Sequence, residues 1–229
     1  MLFRNGIINP TEVQTNIKMQ NIFKDTVFIK GVLDIKKMPI DDGFEFVLAG
    51  RSNAGKSSAL NCLAKNKKLA RISKTPGRTT EINFFKVTDE IKLVDLPGYG
   101  FSKISTDKKK NLNILLDKYF STRKSLRAAV IFMDIRHPLR ENDVQMIEFC
   151  NKYSVPFISV LTKSDKLNNS AISKSIKDIE RKLNYTRFAT IIRQICKRNE
   201  IPFSSTIKYD KSSYNIIYEV LDFIKSKMS

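Results

Sequence analysis

A glycine-rich loop that directly follows a short apolar run constrains this sequence more than any other feature. The run is Phe46-Val47-Leu48-Ala49, and residues 50–57 read GRSNAGKS, which matches the phosphate-binding pattern GxxxxGK[ST]. Backbone N–H groups converge on an anion only where no Cβ obstructs the approach, so the glycines favour a phosphate loop. Helix-forming residues follow at 58–63. The sequence therefore predicts a strand, a phosphate loop and a helix in that order.

Two motifs contain the residues that would bind a triphosphate and its magnesium ion. Lys56 is expected to reach the β- and γ-phosphates, and the Ser57 hydroxyl to coordinate magnesium at a helix N-terminus that favours negative charge. The second motif, DxxG at residues 95–98, also ends an apolar run. Asp95 is expected to hold magnesium through water, and the Gly98 N–H to contact the γ-phosphate.

The polar segment between these motifs is expected to close over the γ-phosphate. Residues 74–81 read KTPGRTTE and precede another apolar run. A threonine in such a segment can place its hydroxyl on the metal and its N–H on the phosphate. Thr79 is the predicted metal ligand and Thr80 the alternative, while an ordinary turn without a metal contact is the competing interpretation. Arg78 fits a basic surface or an RNA contact better than an arginine finger.

A late acidic motif indicates which base is bound. Residues 161–165 read LTKSD. The Asp165 carboxylate can accept hydrogen bonds from the N1–H and the exocyclic amine of guanine, which adenine cannot supply. Lys163 is expected to lie along the base and the phosphate loop, and Ser204-Ser205-Thr206 to offer a backbone N–H to guanine O6. These residues predict GTP and GDP as ligands.

The residue after DxxG indicates slow hydrolysis. Ras-like enzymes have a glutamine there that orients the attacking water, whereas this chain has Tyr99. The amide oxygen of Asn53 in the phosphate loop could help to bind potassium, whose charge would substitute for that of an arginine finger. The predicted catalytic residues are therefore Lys56, Thr79 and Asn53.

Apolar runs and helical stripes alternate along the chain, which predicts an α/β fold. Near-continuous apolar runs are typical of strands that are covered on both faces. We expect a mainly parallel six-stranded sheet with helices on both faces, and a ligand beyond the carboxyl ends of its strands. The predicted strands are 46–49, 82–87, 91–94, 128–133, 156–161 and 201–203, and the predicted helical stripes are 112–120, 172–183, 188–196 and 217–224. Residues 1–43 are interpreted as an N-terminal extension that packs on a nucleotide-binding domain of residues 44–229.

The charge of the chain indicates a polyanionic partner. Lysine and arginine number 41 against 23 aspartate and glutamate, which leaves a net charge of +18. RNA is the first candidate and an anionic membrane surface the second, while a solvated lysine-rich surface is the simpler alternative. No apolar run reaches the roughly 18 residues of a membrane span, so we expect a cytoplasmic protein without membrane insertion. Cys62, Cys150 and Cys196 are scattered and are expected to be reduced thiols.

Five phrases in this order resemble the EngB family of bacterial GTPases, also called YihA or YsxC, within the TRAFAC class. They are GRSNAGKSS, SKTPGRTTEINFF, DLPGYG, MDIRHP and LTKSD. The resemblance implies a Ras-like P-loop GTPase fold and magnesium held by Ser57 and Thr79. It also implies hydrolysis of GTP to GDP and phosphate as a switch in assembly of the large ribosomal subunit, with a link to cell division and septation.

The resemblance and the motifs together give one set of predicted nucleotide contacts. These are Gly50, Arg51, Ser52, Asn53, Ala54, Gly55, Lys56, Ser57, Gly77, Arg78, Thr79, Thr80, Glu81, Asp95, Leu96, Pro97, Gly98, Thr162, Lys163, Ser164, Asp165, Ser204, Ser205 and Thr206. The chain departs from the family at Thr80, where glutamine is frequent, and in the long segment before residue 44. The basic stretch 184–199 is also longer than expected. We expect a monomer.

Two other functions fit parts of the sequence. A P-loop ATPase or kinase would share the phosphate loop, although the TKSD motif argues against it. A binding module would use the nucleotide only as a structural cofactor for attachment to RNA or a membrane, with little hydrolysis of its own.

Overall fold

A six-stranded sheet forms the centre of the computed structural model, which describes residues 22–70, 81–99 and 106–183. The strands are β1 (Val27–Val32), β2 (Phe44–Gly50), β3 (Ile82–Lys86), β4 (Ile91–Asp95), β5 (Leu126–Asp134) and β6 (Phe157–Thr162). They lie in the order β1-β3-β4-β2-β5-β6. β2 pairs in parallel with β4 and β5, and β5 with β6, whereas β3 is antiparallel to β1 and β4. The prediction of a mainly parallel six-stranded sheet is confirmed.

The central strands are buried on both faces, which explains their continuous apolar runs. Successive side chains of a strand point to opposite faces of the sheet. In β2, Phe46 and Leu48 pack in one apolar cluster, and Val47 and Ala49 pack in another on the opposite face. β5 divides in the same way, with Ala128, Val130 and Phe132 in the first cluster and Ala129, Ile131 and Met133 in the second. Neither strand therefore has a face in contact with solvent.

Helices cover both faces, as predicted. Those described are α1 (Lys56–Leu63), α2 (Thr106–Thr122), α3 (Glu141–Lys152) and α4 (Asn169–Leu183). Leu60 of α1 joins the first cluster, and Tyr119 of α2 and Ile147 of α3 join the second. Within the described ranges, no helix is long and apolar enough to cross a membrane. The predicted helical stripes at 188–196 and 217–224 lie outside the described residues.

The edge of the sheet is formed by a strand from the N-terminal segment. β1 pairs antiparallel with β3, so residues 27–32 of the predicted extension belong to the sheet. The predicted strand 201–203 lies outside the described residues. The division of the chain at residues 43 and 44 stays a prediction.

A buried ion pair holds the segment before β2 against α2. The Arg123 guanidinium donates to the Glu45 carboxylate, with Nη2 2.6 Å from Oε1, and to the carbonyl oxygen of Pro39 at 2.8 Å. Glu45 is fully buried and also accepts a hydrogen bond from the Tyr119 hydroxyl at 2.9 Å. Each buried charge therefore has hydrogen-bonded partners, as a stable interior requires.

Candidate nucleotide-binding site

The three sequence motifs meet at the carboxyl ends of neighbouring strands. The phosphate loop follows β2, DxxG follows β4, and TKSD follows β6. β2 lies between β4 and β5, and β6 lies on the far side of β5. The Leu96 N–H, within DxxG, donates to the Leu48 carbonyl of β2 at 3.0 Å. Parallel pairing thus places all three loops at one edge of the sheet, where ligands of open α/β sheets bind.

Backbone geometry explains three residues of the phosphate loop. A Cβ at Gly50 would lie 2.8 Å from the Phe132 carbonyl oxygen, which is too close for any other residue type. Gly55 has φ +95° and Asn53 has φ 61°, both in the left-handed region. Glycine adopts this region without steric cost, and asparagine tolerates it better than most residues. Asn53 is exposed, whereas the neighbouring Ala54 is buried.

Thr162 joins the base motif to the phosphate loop. Its hydroxyl is 2.9 Å from the Ala54 carbonyl oxygen and 3.1 Å from that of Met133. The side chain is buried, and its methyl group faces Gly55, since a Cβ there would contact it at 3.4 Å. The two loops are therefore in direct contact although they are far apart in sequence.

Lys56 and Asp95 form an ion pair at the centre of the site. Each side chain is only 9% exposed, and Lys56 Nζ contacts Asp95 Oδ1 directly. Both residues are placed by regular structure, because Asp95 is the last residue of β4 and Lys56 is the first residue of α1. The predicted phosphate-binding lysine and the predicted metal carboxylate are thus adjacent.

The oxygen donors beside this pair suit magnesium. Ser57 is half-buried in the first turn of α1 and follows Lys56, whose ammonium contacts the Asp95 carboxylate. Magnesium prefers hard oxygen ligands and usually keeps several waters and substrate phosphates in its coordination shell. In the part of the chain that the structure describes, no group of three or more His, Cys, Asp or Glu side chains is arranged to hold a metal. The hydroxyl of Ser57 and the carboxylate of Asp95 are oxygen ligands of the type that magnesium prefers.

The base motif presents its carboxylate to solvent. Asp165 lies in a short 3-10 turn, Ser164–Lys166, and its side chain is 47% exposed. Its ion pair with Lys166, at 3.3 Å, joins two exposed side chains and is therefore weak. The carboxylate remains accessible to a ligand.

Asp134 is a residue of this region that the sequence analysis did not assign to the site. It is the last residue of β5, and its carboxylate accepts from Lys163 Nζ at 2.9 Å and from Arg136 Nη2 at 2.7 Å. Partial burial acts to raise the pKa of Asp134, but the hydrogen bonds from Arg136 and Lys163 outweigh burial and lower the pKa well below its usual value. Asp134, like Asp95, is an acidic residue that ends an apolar strand, which is the signal that would have identified it.

Tyr99 is half-buried: its side chain packs against the second apolar cluster, and its carbonyl oxygen accepts from the Ser52 N–H of the phosphate loop at 3.3 Å. Burial, followed by the nearby charge of Asp143, raises the pKa of the Tyr99 hydroxyl well above its usual value. Asp143 of α3 is fully buried and lies 3.3 Å from Arg51 Nε of the phosphate loop. Burial raises the pKa of Asp143 above its usual value, although the Arg51 charge opposes this shift. Tyr99 therefore contributes to packing beside Asp143.

The structure describes one predicted residue of the segment that precedes β3. Glu81 is exposed, and its carboxylate lies against Gly31 of β1. Gly77, Arg78, Thr79, Thr80, Ser204, Ser205 and Thr206 lie outside the described residues. Their roles, like those of the other contact residues, stay predictions.

Two other side chains, His137 and Cys150, are not among the predicted site residues. His137 follows β5 with its side chain exposed, and its carbonyl oxygen accepts a hydrogen bond from Arg51 Nη2 at 3.2 Å. Cys150 is a buried free thiol, and burial raises its pKa to about 12, so it remains protonated at neutral pH.

Comparison with known proteins defines the class of this protein. The family model described as "50S ribosome-binding GTPase" matches residues 45–163, which include the phosphate loop, DxxG and the first two residues of TKSD. A crystal structure of a probable GTP-binding protein EngB covers 80% of this chain and 99% of its own, with a TM-score of 0.53 at 20% identity. The Era protein of Aquifex aeolicus covers 62% of this chain and 48% of its own, with a TM-score of 0.50 at 22% identity. The fold is the Ras-like α/β fold, and the protein is a P-loop GTPase.

Curated relatives narrow the class to one family. A probable GTP-binding protein EngB of Glaesserella parasuis is 49% identical over 163 residues, which is 71% of this chain and 77% of the relative. The corresponding protein of Stenotrophomonas maltophilia is 47% identical over 150 residues, or 66% and 75% of the two chains. The chain belongs to the EngB family of GTP-binding proteins.

The contact between Thr162 and the phosphate loop can be tested by Thr162→Val. The variant keeps the shape of the side chain but leaves the buried Ala54 carbonyl without its hydroxyl donor. We expect the free energy of unfolding, measured in urea, to fall by about 1–2 kcal/mol. The control is Thr122→Val at an exposed helix position, with an expected change within about 0.5 kcal/mol. Equal stability of both variants and the parent would show that the hydroxyl does not support the loop.

Proposed function

We propose that this protein hydrolyses GTP as a switch in assembly of the large ribosomal subunit, acting as a cytoplasmic monomer on which normal cell division and septation depend. The observation that carries the proposal is the convergence of Lys56, Asp95 and Thr162 at one edge of the sheet. Membership of the EngB family and the ribosome-binding description of the matching family model support the same function.

Different residues of the site would bind different parts of the nucleotide. Lys56 would bind the β- and γ-phosphates through its ammonium group, and Asp165 would accept the guanine N1–H and amine. Ser57 and Asp95, with Thr79 from the segment after the phosphate loop, would hold magnesium, which neutralises charge on the phosphates. The Gly98 N–H would contact the γ-phosphate and lose that contact after hydrolysis, so the DxxG segment is the element that distinguishes GTP from GDP.

Asp165→Asn tests the assignment of guanine to this site. An amide in place of the carboxylate cannot accept both guanine donors, but it can pair with xanthine, whose 2-oxo group accepts a hydrogen bond. We expect the affinity for GTP to fall by about 100-fold or more and the affinity for XTP to rise, measured by displacement of a fluorescent nucleotide. Asp89→Asn, which changes an acidic side chain that is 94% exposed, is the matched control and is expected to bind as the parent does. Retained guanine selectivity in Asp165→Asn would refute the assignment.

Slow hydrolysis and its dependence on potassium follow from the surroundings of the phosphate loop. Tyr99 occupies the glutamine position and is packed beside Asp143, so no side chain there orients water. Asn53 is exposed at the loop and can offer its amide oxygen to a monovalent cation. We expect GTP turnover in potassium buffer to exceed that in sodium buffer at equal ionic strength, and Asn53→Ala to remove the difference. Equal turnover of the parent in the two buffers would contradict the role of Asn53.

The basic face of α4 is the part of the described surface that best suits ribosomal RNA. Ile172 and Ile179 are buried on one side of the helix, whereas Lys174, Lys177 and Arg181 recur on the exposed side at helical spacing. Arg181 pairs with Asp178 of the same helix at 3.1 Å. A chain with a net charge of +18 would bind a polyanion largely through such residues.

Cosedimentation with large ribosomal subunits tests the switch. We expect binding that is tighter with a non-hydrolysable GTP analogue than with GDP and that weakens steeply with salt. Reversal of charge at Lys174, Lys177 and Arg181 to glutamate should weaken binding by about tenfold or more, because three phosphate contacts become repulsive. The control reverses three exposed lysines elsewhere, Lys36, Lys37 and Lys118, with the same change in net charge.

The outcomes of this experiment separate the proposals. An equal loss in the two triple variants would show that net charge, not α4, carries the binding. Equal binding with GTP analogue and GDP would contradict the switch. GTP hydrolysis that is absent even with ribosomes and potassium would favour the alternative, a nucleotide-dependent RNA- or membrane-binding module.

A further inference from the structure

Asp134 lies between the phosphate loop and the base motif. It ends β5, the strand that pairs with β2 on one side and β6 on the other. In the β5–β6 register Asp134 is opposite Thr162, the residue whose hydroxyl contacts the phosphate loop. The backbone therefore places the Asp134 carboxylate beside the start of TKSD.

Each oxygen of the Asp134 carboxylate accepts two hydrogen bonds. Oδ2 accepts from Lys163 Nζ at 2.9 Å and from Arg136 Nη2 at 2.7 Å. Oδ1 accepts from Arg136 Nε at 2.9 Å and from the Arg136 N–H at 3.1 Å. The side chain is 9% exposed, so the carboxylate is held among fixed partners and not by solvent. Charge-assisted bonds of this kind fix geometry more strongly than neutral ones.

Lys163 depends on this carboxylate for its position. Its backbone has φ 63°, in the left-handed region, and its side chain is 33% exposed. A lysine chain has four rotatable bonds, so an ammonium without a fixed partner would sample many positions. The ammonium has three donors, and the bond to Asp134 uses one. Two donors remain for the nucleoside and the phosphate loop.

We propose that Asp134 is a positioning residue of the guanine nucleotide site, which holds the Lys163 ammonium beside the base. Arg136 also forms an ion pair with the Asp134 carboxylate. The positive charge of Arg136 interacts with the negative charge of Asp165 as well. The inference rests on the proposed binding of guanine nucleotides. It adds that part of the affinity for the nucleoside comes from a carboxylate that does not touch it.

Asp134→Asn tests the inference because the amide has the same shape but no charge. The variant should bind both GTP and GDP about tenfold more weakly, because Lys163 loses a charge-assisted hydrogen bond that fixes it. The factor should be the same for the two nucleotides, since they share the nucleoside end. A positioning role should raise the KM for GTP more than it lowers the turnover number, because the effect is on binding of the nucleoside. Arg136→Gln removes the other partner of the carboxylate and is expected to have a smaller effect.

A double-mutant cycle shows whether Asp134 acts through Lys163. Lys163→Met and Asp134→Asn are measured singly and together by displacement of fluorescent GDP. If Asp134 positions Lys163, the double variant binds GDP as weakly as Lys163→Met alone, so the two losses do not add. Additive losses would mean that Asp134 acts only on the general fold and would overturn the proposal. Tighter binding by Asp134→Asn would overturn it too, because the ion pair would then compete with the nucleotide.

The controls separate failure of this inference from failure of the proposed function. If the parent shows no preference for guanine nucleotides, the proposed function fails. If the parent prefers guanine and Asp134→Asn binds as the parent does, only the inference fails. Should Asp134→Asn not fold, Asp134→Glu keeps the charge and moves it by one methylene group. The same equal weakening for GTP and GDP is expected from that variant, and unchanged affinity would overturn the proposal.

Discussion

Parallel pairing of β2 with both β4 and β5 is the constraint on which the site depends. The register places Leu48 opposite Asp95 and Gly50 opposite Phe132, so the phosphate loop leaves the sheet between the ends of its two neighbours. Gly50 is needed there because the Phe132 carbonyl leaves no room for a side chain. A shift of one residue in the β2–β4 pairing would move Asp95 away from Lys56 and turn the buried side chains of the shifted strand to the opposite face.

Three side-chain contacts then turn this edge of the sheet into a site. The Thr162 hydroxyl lies against the phosphate loop, Lys56 pairs with Asp95, and Lys163 pairs with Asp134. Both lysines are held by a carboxylate that ends a buried strand. Burial of a charge is costly unless the charge is paired, so each strand end fixes one cation where a phosphate or a base would need it.

The sequence predicted the local motifs and the general fold but not the contacts that depend on strand order. The phosphate loop, DxxG and TKSD each have a local pattern, and the near-continuous apolar runs of β2 and β5 reflect burial on both faces. Asp134 also ends an apolar run, but its contact with Lys163 depends on the pairing of β5 with β6, which no local pattern shows. The assignment of β1 to the sheet was equally hard to predict, since its short apolar run has no partner that spacing could identify.

Competition for the site by guanine and adenine nucleotides tests the account most directly. The measurement is displacement of a fluorescent GDP analogue from the full chain with magnesium present. If the Asp165 carboxylate binds guanine selectively, GTP and GDP displace the analogue at concentrations at least about 100-fold below the ATP concentrations that displace it. Displacement by ATP at the same concentrations as GTP would contradict the assignment of guanine, and with it the function built on this site.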